Sequence, residues 1–282
     1  MILRGYIDDA KDGKTFNLTA VIADGPGWFY WEQDWLGIIE AKNKELRASG
    51  RKSISRYHAT DCQFRVKEFK GWSLPEKDEF CKKLFSLFEN YKMHVIGYSI
   101  DLEQLIKAIP EAAPNPERFC YVIGLCYVML EIGDFTLSMP DHRREAVISL
   151  IHDRCDYNSA MQEIFGGMLE DAGFVYRDRF TTLAPMGWEQ CIPLQLADLM
   201  AYENFKESQR LEYRTKDARR RSLDYILNYG QMGGRLKGFN PATLRQLRKR
   251  INEMPPESRR RILGPAMRAT KRSRTLRSRT LG

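Results

Sequence analysis

Apolar segments of strand length alternate along this chain with amphipathic segments of helix length, and several of the strand-like segments end in aspartate. The order reads hairpin, helix, strand, helix, strand, helices, strand, helix, strand, helix. That alternation predicts an α/β protein, a mixed β-sheet with helices flanking both faces. The acids are Asp8, closing ILRGYID; Asp61, in HATD; Asp153, closing AVISLIHD; and Asp198, inside PLQLADLMAY. In layered sheets ligands collect beyond the carboxyl ends of parallel strands. Asp8 and Asp153 are therefore expected to face one cavity if their strands are neighbours.

The individual elements follow from local signals. Residues 2 to 8 and TFNLTAVIA flank AKDGK, whose Asp12-Gly13 pair predicts a hairpin turn. Trp28, Trp31, Trp35, Ile38 and Ile39 recur at helical spacing, an aromatic stripe that reads as core packing rather than a base-stacking platform. SISRYHA is expected to be a short strand leading into HATD. Ser73-Leu74-Pro75-Glu76 opens a helix to Tyr91, MHVIGYSI is a strand, and Pro110, Pro114 and Pro116 break the chain before a core helix from about Glu117. EAVISLIHD reads as a buried strand and 158–172 as a helix closed by Gly173. FVYRDRFTTL suggests one or two strands at the sheet edge, and Pro193 suits the first turn of the helix that carries Asp198. GQMGGRLKG follows a predicted helix, so its glycines are weak support for a phosphate loop, and neither a Walker motif nor a dinucleotide fingerprint is present.

The apolar run Phe119 to Leu130 is twelve residues long, short of the roughly 20 that cross a bilayer, and is expected to be a buried core helix. The six cysteines form no CxxC pair, and with no charged-then-apolar leader this points to reduced thiols in a cytoplasmic protein. Charge is distributed unevenly. Residues 245 to 282 hold 13 Lys+Arg against 2 acids, while the other 244 residues hold 32 basic and 35 acidic groups. A strongly basic end attracts polyanions, phosphate backbones first. Arg248, Lys249, Arg250, Arg259, Arg260, Arg261, Lys271, Arg272 and Arg274 are the expected nucleic-acid contacts. A catalytic domain over 1–210, a helical extension over 211–252, with Asn240-Pro241 opening a basic helix, and a flexible basic tail over 253–282 complete the expected organisation.

Carboxylates gathered in one place repel by roughly 4 kcal/mol per pair at 4 Å in an effective dielectric near 20. A divalent cation relieves that repulsion, and oxygen ligands favour Mg2+ or Mn2+. Two strand-end acids and one helix acid have the layout of a two-metal phosphoryl-transfer site. Asp8, Asp153 and Asp198 are the expected metal ligands. Asp61 and His58 are expected nearby, His58 as a proton carrier, with Asp9 and Glu203 as further candidates. Each residue also has a plainer reading: Asp8 and Asp9 as turn acids, Asp153 as a helix cap, Asp198 as a buried salt-bridge partner, His58 as a structural histidine.

YIDD, HATD, the strand-terminal HD and LQLAD, spread over about residues 3 to 205, resemble the domain-of-unknown-function 3800 family, which is regarded as ribonuclease H-like. The resemblance implies a ribonuclease H-like sheet and metal ligation by Asp8, Asp153 and Asp198, with His58 and Asp61 nearby. It also implies a metal-dependent nuclease hydrolysing DNA or RNA. The family's first motif usually reads Asp-Glu-Ser-Gly, whereas this chain has Asp8-Asp9-Ala10-Lys11. That departure supports the alternative of a catalytically degenerate nucleic-acid- or partner-binding module. A glycosidase-like hydrolase working with a carboxylate pair is a third possibility.

Overall fold

The computed structural model describes residues 1–140, 145–213, 216–230 and 232–267. Strand β1 (Ile2–Lys11) turns back into β2 (Thr15–Asp24). Asp12 Oδ1 closes the turn by accepting from the N–H groups of Lys14 (3.0 Å) and Thr15 (2.9 Å). There follow α1 (Gly25–Ala48), α2 (Ala59–Phe64), α3 (Leu74–Ser86), β3 (Met93–Asp101), α4 (Leu102–Ala108), α5 (Pro116–Leu137), β4 (Val147–Asp153), α6 (Asn158–Glu170) and β5 (Phe180–Met186). The chain continues through α7 (Leu194–Tyr213), α8 (Arg221–Tyr229), β6 (Met232–Phe239), α9 (Pro241–Glu253) and α10 (Pro256–Met267).

The strands form one six-stranded sheet in the order β5-β4-β1-β2-β3-β6. β2 alone runs antiparallel to its neighbours; β4 pairs parallel with β1 and β5, and β3 parallel with β6. This is the α/β architecture expected, a mixed sheet flanked by helices. Each face of the sheet carries its own core. One holds Leu3, Ile7, Leu18 and Leu150 against α5, α6, α9 and α10; the other holds Tyr6, Val21 and Val95 against α1, α3 and α7.

Helix α1 shows why the aromatic stripe is core. Trp28, Trp31 and Trp35 are buried, with ring centroids 5.6 and 4.7 Å apart along the stripe. The indole N–H of Trp28 donates to the Arg4 carbonyl at 2.9 Å, so the polar edge of that ring is satisfied as it is buried. Helix α5 is long and apolar enough to cross a bilayer by length and composition, but it lies against the sheet with Phe119, Val122, Leu125, Val128 and Ile132 buried. The six cysteines are all free, and Cys62 Sγ and Cys81 Sγ touch at 3.6 Å without a bond.

Four expectations change. SISRYHA is not a strand; it runs as irregular chain into α2. Asn43 replaces the missing sheet partners there, accepting from the Ile54 N–H (2.8 Å) and donating to the Ile54 carbonyl (2.9 Å). Strand β4 is not buried on both faces: Ile148, Leu150 and His152 point into a core, while alternate residues from Val147 to Asp153 remain partly open. The boundary near 210 also disappears, because residues 232–239, within the supposed helical extension, form the edge strand β6 beside β3. Gly234 makes that pairing possible: its φ of 146° suits glycine, and a Cβ there would strike the Val95 backbone.

The basic tail changes as well. Residues 256–267 are helical, and Leu263 and Ala266 are buried in the core formed with α5 and α6. Arg248 is paired with Glu111, Lys249 with Glu253 and Arg261 with Glu257. Arg248, Lys249 and Arg250 lie on α9, and Arg259, Arg260 and Arg261 on α10. Lys271, Arg272 and Arg274 lie outside the described residues.

Candidate active site

Strand parity places the acids. Along β1 the side chains of Leu3 and Ile7 enter the α5 core and that of Tyr6 enters the α7 core, so Asp8 belongs to the α7 face. On β4, Ile148 and Leu150 enter the α5 core, which puts Asp153 on the α7 face too. The parallel register pairs Ile7 with His152, so Asp8 and Asp153 follow side by side on strands about 4.8 Å apart. The chain leaves β1 toward β2 on one side, whereas β4 lies on the other. The two acids thus stand at the carboxyl ends of the strands where the sheet order reverses, the usual ligand position in such sheets.

Helix α7 brings the third acid over them. Pro193 precedes the helix, and its carbonyl accepts from the Ala197 N–H at 3.3 Å. A buried polar seam fixes the helix on the sheet. Asn204 donates to Thr19 Oγ1 (3.2 Å), Thr19 donates to Asn17 Oδ1 (2.9 Å), and Asn17 donates to the Tyr98 carbonyl (2.9 Å). Thr19 is paired across the hairpin with Asp8. Gly97 allows the close approach, since a Cβ there would meet the Asn204 amide and Thr19. Asp8, Asp153 and Asp198 consequently line one cavity of about 260 Å³, together with Asp9, Arg56, Tyr57, His58, Trp188, Leu194 and Gln195.

None of the three acids takes the plainer role available to it. Each accepts one backbone N–H: Asp8 from Asp9 (2.8 Å), Asp153 from Arg154 (2.9 Å) and Asp198 from Ala59 (2.8 Å). The hairpin turn is closed by Asp12, and α6 is preceded by Tyr157 rather than Asp153. Burial pushes the Asp8 carboxyl well above the usual carboxylate range, and the charges of Asp198, Asp9 and Asp153 push it further. Burial also raises Asp198, opposed by His58, the Ala59 N–H and Arg56. Asp153 is raised for the same first reason, with the Arg154 N–H and Arg56 opposing.

His58 borders the same cavity as N-cap of α2. The Asp61 N–H donates to His58 Nδ1 at 3.2 Å, and Asp61 Oδ2 lies 3.1 Å from that nitrogen. Asp61 does not line the cavity; its N–H donates to His58 Nδ1 and its carboxylate pairs with Lys67 Nζ (3.1 Å), which makes it a positioning residue for the imidazole. Glu203 is likewise outside, buried and clamped by Arg220 through two bonds of 3.0 and 3.1 Å. Asp9 lies at the rim, its carboxylate accepting from the Tyr121 hydroxyl and facing Lys11 Nζ at 3.6 Å.

Three cavity residues were not singled out from the sequence, although Gln195 lies within the LQLAD motif. Gln195 lies one turn before Asp198; its Oε1 accepts from Trp35 Nε1 (3.1 Å) and the Tyr57 N–H (2.8 Å). Both donors fix the amide orientation, and its buried Nε2 has no hydrogen-bond partner among the described residues. The Arg56 guanidinium lies 4.3 Å from the Trp188 ring centroid. Among the described residues Arg56 is the Lys or Arg side chain that lines this cavity, whereas the basic helices α9 and α10 pack on the opposite face of the sheet.

Among the described residues no group of three or more His, Cys, Asp or Glu side chains is already gathered to hold a metal ion. The donor chemistry nevertheless fits one: three carboxylates with a single backbone N–H each, raised in pKa first by burial and, at Asp8, further by the neighbouring acids, beside an unpartnered buried amide donor. No family model matches the chain, and no curated protein or solved structure matches it.

Proposed function

We propose that this chain is a Mg2+- or Mn2+-dependent phosphodiesterase that hydrolyses nucleic acid. The convergence of Asp8, Asp153 and Asp198 on one open cavity carries the reading. A sheet in which β2 alone is antiparallel is compatible with the ribonuclease H-like fold that the sequence resemblance implies. Asp8, Asp153 and Asp198 would hold the metal, which supplies Lewis-acid polarisation of the phosphate and acidifies the attacking water. Arg56, which lines the cavity, offers positive charge to phosphate oxygens, whose charge grows in the transition state. His58, held at Nδ1 by Asp61, carries protons at its Nε2.

The experiment is hydrolysis of bis(p-nitrophenyl) phosphate and of labelled oligonucleotides, with Mg2+ or Mn2+ and with excess chelator. Turnover is expected only with metal, and Asp198→Asn is expected to abolish it. Turnover that survives chelation would point instead to catalysis by a carboxylate pair. The Asp8-Asp9-Ala10-Lys11 segment, together with the lack of a ready-gathered metal group among the described residues, favours a second reading, a non-catalytic binding module. Calorimetric titration with Mn2+ separates the two, since the module predicts no binding and the same heat from Asp153→Asn.

A further inference from the structure

The cavity that holds the acids does not end at them. Asp9, His58 and Asp198 also line a second cavity of about 380 Å³, with Lys11, Thr60, Phe64, Tyr202, Phe205 and Lys206. The two share these three residues and form one groove with the acids in its middle. At one end the Arg56 guanidinium lies over the Trp188 ring at 4.3 Å. At the other, Lys206 Nζ lies 4.9 Å from the Phe205 centroid and 5.6 Å from that of Tyr202. Phe64, the last residue of α2, is 62% exposed there. Arg65 follows it in the left-handed region (φ 53°) and ends the helix, leaving the ring at the groove wall.

From this arrangement we infer that the groove takes a single nucleic-acid strand, with unpaired bases on either side of the scissile phosphate stacking on Phe64 and Trp188. Cations interleaved with aromatic faces are the recurrent means of holding single strands, because every base offers a π-face and every linkage a negative charge. In a duplex those faces are already covered by neighbouring base pairs. Lys206, Lys11 and Arg56 sit where the strand's phosphates would pass. The inference rests on the phosphodiesterase reading and adds the strandedness of its substrate.

The test is fluorescence anisotropy of the full chain in excess chelator, where no metal-dependent turnover occurs. Labelled single-stranded DNA, single-stranded RNA and a DNA duplex of the same sequence are compared. At least one single strand is expected to bind about tenfold or more tighter than the duplex, and the DNA and RNA arms show which sugar is preferred. Phe64→Ala and Trp188→Ala are each expected to weaken that binding about tenfold, the usual loss for one stacked base. Phe29→Ala, an equally exposed aromatic on α1, is expected to leave it unchanged. Lys206→Gln should flatten the log–log salt dependence by about 0.7, one single-strand phosphate contact. Equal affinity for the duplex, no binding to either strand, or unaltered binding by both aromatic variants would overturn the inference. Hydrolysis of bis(p-nitrophenyl) phosphate, which has no bases to stack, would still judge the phosphodiesterase reading separately.

Discussion

Replacing Asp8 with asparagine is expected to lower phosphodiester turnover at least about a thousandfold, about 4 kcal/mol of transition-state stabilisation, while making the metal-free protein more stable at neutral pH. Both effects come from one carboxylate. Asp8 lines the cavity with Asp153 and Asp198, and burial and the neighbouring acids raise its pKa well above its ordinary value. Because that pKa is raised, the folded state holds the Asp8 proton over a pH range where the unfolded chain, titrating near about 3.9, has lost it. Stability attributable to this group therefore falls as pH rises from the unfolded value through the folded one, and stays low above it. Asparagine has no charge to desolvate. Thermal melts in chelator should show the variant above the parent protein at pH 7, with the gain gone below about pH 4. A variant that melts lower at pH 7 would mean Asp8 has a stabilising partner after all.

Trp35→Ala is expected to cost about 3–5 kcal/mol in urea denaturation, the range for deleting a buried indole. Trp35 is 0% exposed, packs on Trp31 at 4.7 Å and on Tyr57 at 5.7 Å, and donates to Gln195 Oε1. The consequence extends beyond stability. The Gln195 oxygen holds both Trp35 and the Tyr57 N–H, so it ties α1 and the segment before His58 to the start of α7. Trp35→Phe retains most of the packing but not the N–H, and should cost less while still raising KM, as the Gln195 side chain bordering the cavity loses one of the two donors that fix it. An alanine variant within about 1 kcal/mol of the parent would show that the indole is not a core element.

The sequence made the site's acids legible because strand ends and one helix face are local patterns. The hairpin, the tryptophan stripe of α1, β3 and α7 all follow from periodicity and turn chemistry, and Asp8, Asp153 and Asp198 follow with them. Other elements carried no such signal. Strand β6 is glycine-rich and lies at an exposed edge, where alternation of apolar residues is not required, so MGGRLKGF gives no strand pattern. Helix α4 is only seven residues long, too short for a helical period to stand out. SISRYHA has the β-branched and aromatic content of a strand, yet its backbone is held by Asn43 and Gln195 side chains from distant helices. Arg56, Trp188 and Gln195 reach the cavity only through tertiary packing. Net charge likewise does not show that three of the basic C-terminal side chains, Arg248, Lys249 and Arg261, are paired with Glu111, Glu253 and Glu257.

The central claim is that Asp8, Asp153 and Asp198 share a divalent cation. A crystal structure of the protein grown with Mn2+, with anomalous data collected near the manganese edge, tests it directly. The account predicts an anomalous peak within about 2.0–2.3 Å of at least two of these carboxylates, lost in Asp8→Asn. Data that show full manganese occupancy elsewhere, or no peak in this cavity at millimolar Mn2+, would contradict it.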